Sequence, residues 1–110
     1  RLYKLMKEAK VMMVTCPTAW IDTRRSNTIG LSHNSMTPVD ELIPAGVTVA
    51  LGTDNVCDAM VPWCSGDMWH ELQLLATGCR FDDFDNLVRI ATVNGRKVLG
   101  LIPYDEKAAA

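Results

Sequence analysis

Two acids, Asp54 and Asp58, stand four residues apart just past the apolar run Val47-Thr48-Val49-Ala50-Leu51, after Gly52 and Thr53. A carboxylate at the rim of a water-poor sheet costs desolvation energy unless a cation, a donor or a proton compensates it. A metal ion or a proton-transfer role supplies that compensation, and so does a turn closed through the residue's own backbone. Spacing alone leaves these readings open. Cys16, Cys57, Cys64 and Cys79 match no paired-cysteine metal pattern and read as reduced thiols, with a disulfide or metal role as the alternative. His33 has no histidine nearby and His70 falls among Met68, Trp69 and Leu72, so neither offers a pair at ligand spacing. Both read as structural.

The elements that position these residues must come from 110 residues, 48% of them hydrophobic, which suits one small domain. The net charge is −2, and no basic run exceeds Arg24-Arg25, so nucleic acid is not expected as a partner. Apolar runs such as Val11-Met12-Met13-Val14 fall far short of the roughly 20 residues that cross a bilayer. With no membrane segment and no secretory leader visible, a cytoplasmic location is expected. The sequence starts at Arg1 without Met and stops at three alanines, so residues 1–110 are expected to be a piece of something longer.

Residues 2–10 place Leu2, Leu5, Met6 and Ala9 on one face at helical spacing. The run 11–16 that follows, bounded by Pro17, reads as a strand buried on both sides. From Cys16 to Met36 the chain shows no period and reads as a long loop. Thr37 as N-cap, Pro38 at the first helical position and the acids Asp40 and Glu41 predict a short helix stopped by Gly46. The run 47–53 predicts a second buried strand, which makes a βαβ unit with a parallel pair. After a loop over 54–66, one helix is expected to end at Gly78 and another to start at a cap from Asp83, with a break at Gly95.

In parallel α/β structures, functional groups gather where strands end, because the loops there converge over one mouth of the sheet. The segments "ELIPAGVTVALGTDNVCDAMVPWCSGDMWHELQLL" and "IATVNGRKVLGL" resemble the C-terminal part of the amidohydrolase superfamily, in its cytosine deaminase-like branch. The likeness covers most of residues 10–101 and rests on "GTDN" followed by Asp58, Pro62, Gly66 and Asp67. It implies an α/β fold that is a partial (β/α)8 TIM barrel: the last two β/α units, strands 7 and 8, plus C-terminal helices. The upstream barrel and a flanking β-sandwich have no counterpart in residues 1–110.

The resemblance implies a metal-dependent hydrolase acting on C–N bonds of a planar amino-substituted heterocycle, cytosine-like or aminotriazine-like. Asp54 stands where the family's aspartate ends the eighth strand, contacts a divalent Zn or Fe ion and shuttles protons, so it is both the catalytic and the metal candidate. Asn55, Asp58 and Met60 lie on the loop that borders the substrate by the same analogy, with loop packing as their other reading. Trp20 is a candidate to stack on the heterocycle or, alternatively, to anchor its loop, and Trp63 reads as packing. Arg24 and Arg25 read as a solvated loop face.

The family's HxH pair and later histidines are missing from a chain with two histidines. The segment by itself is therefore expected to be inactive, with the remaining part of the barrel as partner and self-association through exposed sheet edges. The competing expectation is a self-contained α/β binding or interaction module without catalysis.

Overall fold

The computed structural model describes residues 1–22 and 36–101. Along the chain run α1 (Leu2–Glu8), β1 (Met13–Thr15), α2 (Pro17–Asp22), α3 (Val39–Leu42), β2 (Val49–Leu51), α4 (Met68–Cys79), α5 (Phe84–Ala91) and α6 (Val93–Val98). The two strands pair in parallel, with Met13 opposite Val49 and Thr15 opposite Leu51. The expected βαβ connection is what forms. Among the described residues no helix is long and apolar enough to cross a membrane.

Every residue of β2 is buried, because α4, α5 and α6 all pack against it. The core gathers around that strand: Val39, Leu42, Val47, Val49, Leu51, Leu75, Leu87 and Ile90. The first strand departs from expectation. Val14 is 46% exposed, as are Val11 and Met12 to similar degrees, since β1 has its main packing contact with β2. An apolar strand left open on one face is a surface suited to further chain.

Gly52 allows the two strand ends to lie close together. A Cβ there would sit 2.9 Å from Cγ1 of Val14 and 3.2 Å from Sγ of Cys16. A side chain there would force Val14 to shift and crowd Cys16.

The expected loop over 16–36 is corrected at its start, where residues 17–22 form α2. Proline suits the first turn of a helix, where its missing N–H leaves no bond unmade. Arg24, Arg25 and His33 lie outside the described residues. The expected cap at Thr37 is also corrected: Pro38 takes the cap position with no side-chain bond, and Thr37 Oγ1 instead accepts from Thr15 Oγ1 at 2.9 Å. Gly46 ends the turn after α3 as expected, at φ +80°, with Val47 N–H reaching back to Leu42 O at 3.0 Å.

Helix α4 runs past Gly78 to Cys79, and Arg80 takes the left-handed position at φ 52°. Gly78 lies under Met36, whose Cε would be 3.0 Å from an added Cβ, so this glycine serves a close approach. Asp83 caps α5 as expected, accepting from Asn86 N–H at 3.1 Å. The break between α5 and α6 falls at Thr92, φ −131°, and not at Gly95. Thr92 Oγ1 donates to Val88 O at 2.7 Å and so satisfies a carbonyl that the turn of the chain frees.

Candidate functional site

Both strands deliver polar residues to the same edge. Strand β1 runs into Cys16 and β2 into Gly52, Thr53 and Asp54, and Gly52 N–H donates to Thr15 O at 2.9 Å, which holds the two ends in register. Asp54 adopts φ +62°, a left-handed conformation that Asp and Asn tolerate better than other side chains. Its carboxylate is exposed to solvent. The expected desolvation at the sheet rim is therefore corrected: the left-handed backbone swings the residue out of the strand. Asp54 Oδ1 accepts from Asn55 N–H at 2.8 Å, leaving Oδ2 directed to no described partner.

The loop beyond is organised by Asp58. Its Oδ1 accepts from the backbone N–H groups of Met60 and Val61, both at 2.7 Å, and its Oδ2 accepts from the Asn55 side-chain amide. The Val61 and Met60 amides, in that order, and then the Asn55 amide hold the Asp58 carboxyl below its ordinary value. Asn55 and Asp58 are thus brought together as one hydrogen-bonded turn. Met60 lies exposed at its tip.

Trp20 sits on α2, half-buried, and packs against the core cluster. The helix that carries it is fastened to the loop, because Trp63 N–H donates to Asp22 Oδ2 at 2.6 Å. The Trp63 ring itself is exposed. His70 is exposed on α4, and its backbone N–H donates to Asp67 Oδ1 at 3.4 Å.

Glu71 is the residue that the sequence reading missed. It is 1% exposed, and its Oε2 accepts from Thr18 N–H at 2.8 Å. The Cys64 thiol lies 3.8 Å from Glu71 Oε1 and 3.3 Å from Thr53 O, so its one proton is shared between two acceptors. A signal was present: Glu71 and Leu75, four apart on one helix, fall on one face, and both are buried. Burial, then the negative charges of Asp54 and Glu71, push the Cys16 thiol up, so Cys16 stays protonated and is no nucleophile at neutral pH.

The edge therefore holds one exposed carboxylate, one buried carboxylate and two thiols. Among the described residues no group of three or more His, Cys, Asp and Glu side chains can hold a metal ion. The donor set of the described residues does not fit a complete divalent site. What Asp54 offers alone is a solvent-facing carboxylate able to take and return a proton, or one oxygen ligand.

No family model matches the chain. An uncharacterised protein of Haemophilus influenzae is 67% identical over 42 residues, which cover 38% of this chain and 93% of that protein. A second uncharacterised protein of the same organism is 50% identical over 44 residues, 40% of this chain but 16% of that one. Among solved structures, 5-methylcytosine deaminase from Klebsiella pneumoniae liganded with 5-fluorocytosine superposes with a TM-score of 0.76 at 24% identity. The superposition takes in 90% of this chain and 25% of the deaminase, so the chain has the fold of a quarter of that enzyme.

Proposed function

The chain belongs to the family of the short Haemophilus influenzae protein, and on that premise and the fold shared with a deaminase we propose that it is the closing portion of a hydrolase barrel. In this reading β1 and β2 are strands 7 and 8, and residues 1–110 complete the barrel together with strands supplied by further polypeptide. The single observation that carries it is Asp54: an exposed carboxylate at the C-terminal end of the last strand, beside the end of its parallel neighbour. That is where barrel enzymes place their reacting groups.

The reaction is hydrolytic deamination of a planar amino-substituted heterocycle, cytosine-like or aminotriazine-like, supported by the ligand named for the deaminase whose fold the chain shares. Water adds to the ring carbon, the C–N bond to the exocyclic amine breaks, and a carbonyl compound and ammonia leave. Asp54 takes the proton from the attacking water and returns it to the departing amine. Asn55, whose side-chain NH₂ donates to Asp58, keeps its side-chain oxygen as an acceptor for the ring's N–H edge. Met60 at the loop tip supplies apolar contact, and Trp20 keeps α2 anchored as the pocket wall.

A divalent ion, Zn²⁺ or Fe²⁺, enters this reading through the fold alone. Among the described residues the chain brings one ligand, Asp54, and in this reading the other ligands belong to the remainder of the barrel. Ammonia release from cytosine and from an aminotriazine, measured on the assembled barrel, tests the reading. Release from either ring supports it, and no release from both, with the barrel folded, argues for a binding module.

A further inference from the structure

We infer that Glu71 is a positioning residue that fixes the ends of both strands relative to each other and so aims Asp54; this rests on the role proposed for Asp54. The argument starts from cost. A buried carboxylate forfeits several kcal/mol of hydration unless its acceptor sites are filled. A carboxylate has about four such sites, and the described partners of Glu71 are the Thr18 amide and a shared thiol proton. An apolar residue of similar volume would serve packing alone at less cost. What the carboxylate adds is connection.

Its two oxygens face two different strand ends. Oε2 holds the first turn of α2, which begins directly after β1, through Thr18 N–H at 2.8 Å. Oε1 meets Cys64 Sγ, which also reaches Thr53 O at 3.3 Å. The Thr53 carbonyl belongs to the peptide plane that leads into Asp54, so holding it limits rotation about the Asp54 N–Cα bond, where φ is +62°. Gly52 N–H to Thr15 O at 2.9 Å ties the end of β2 to the end of β1, so the two groups that Glu71 reaches lie at one edge. Glu71 thus touches no substrate in this account. It acts through Cys64 and Thr18.

The test uses Glu71→Ala, Glu71→Gln and Cys64→Ala in the full chain assembled with the rest of the barrel. Deamination of cytosine is read as kcat and KM, and hydrogen exchange is read at the Thr18 and Asp54 amides. In Glu71→Ala, kcat falls by about 100-fold while KM stays within about twofold, as misplacement of a reacting group by about 1 Å predicts. Faster exchange at Thr18 and Asp54 accompanies it. Glu71→Gln restores Thr18 protection and most of kcat, because the amide oxygen still accepts and its NH₂ faces the Cys64 sulfur.

A folded Glu71→Ala variant with wild-type kcat overturns the inference, and so does a folded Glu71→Gln variant no better than alanine. If Glu71→Ala does not fold, Cys64→Ala decides: wild-type kcat with wild-type Asp54 exchange overturns the inference, and a lowered kcat with faster Asp54 exchange supports it. Should the wild-type assembly release no ammonia from cytosine or from an aminotriazine, the deaminase reading fails, yet exchange at Asp54 still reads Glu71 independently. Unchanged exchange in Glu71→Ala then overturns the positioning role, and faster exchange restored by glutamine supports it.

Discussion

The side-chain amide of Asn94 donates to the carbonyl oxygen of Val49 at 2.8 Å, so a residue of α6 closes a backbone acceptor on β2. Val49 is wholly buried, and an acceptor there without a partner costs about 1–3 kcal/mol. Asn94→Ala is expected to destabilise the chain by that amount, read as a shift in the midpoint of urea unfolding. A shift below about 0.5 kcal/mol would show that the bond has an equal substitute.

Asp54 and its backbone can be separated by substitution. Asparagine tolerates the left-handed region, so Asp54→Asn should unfold within about 0.5 kcal/mol of wild type, whereas Asp54→Val should lose about 1–2 kcal/mol to strain. Thermal unfolding of the two variants side by side reads the difference. Equal stability would contradict the strand-end geometry.

Acid should loosen the Asn55–Asp58 turn before it unfolds the core. The Asp58 carboxyl is held below its ordinary value by the Val61 and Met60 amides and the Asn55 amide, so its contribution to order is complete above the usual carboxylate range. It is lost as pH falls through the lowered value. Amide exchange at Met60 and Val61 should therefore quicken only in strong acid, and Asp58→Asn should remove that pH step. A step at the ordinary carboxylate pH would mean the turn is not formed.

Gly52→Ala should push Val14 and Cys16 apart, because the new Cβ meets them at 2.9 and 3.2 Å. Val14 is half-exposed and can rotate, while Cys16 is partly buried, so the expected loss is about 1–3 kcal/mol. Denaturant unfolding checks the magnitude, and backbone chemical shifts at Cys16 and Thr53 check the place.

Local physics made most of the frame legible. Apolar runs gave both strands and their parallel pairing, the acids Asp40 and Glu41 marked α3, and Asp83 marked the start of α5. Helix α2 escaped because its six residues are too few for a period, and because its first turn is satisfied by Glu71, a partner 53 residues away. Thr37 was misread for a related reason. Its hydroxyl serves Thr15 across 22 residues, a tertiary bond that outranks the local cap. Val14 was read as buried because sequence shows that a strand is apolar on both faces, and not which part of the chain covers the outer one.

The candidate site was legible to the same extent. Asp54, Asn55, Asp58 and Met60 do fall on one loop at the strand end, since Gly52 and the acids that follow announce it. The exposure of Asp54 was not readable, because it depends on a backbone angle that several residue types could have taken. Trp20 belongs to α2 and the core, and the Asp22 to Trp63 bond ties that helix to the loop.

The central claim, that Asp54 carries the proton in a hydrolytic deamination, is tested most directly by ammonia release from cytosine and an aminotriazine on the assembled barrel, comparing wild type with Asp54→Asn. Asparagine keeps the shape and the left-handed backbone but cannot take a proton. The account predicts a fall of at least about 100-fold in kcat with the fold retained, in line with loss of a positioned acid–base group. Wild-type turnover by a folded Asp54→Asn variant would contradict it.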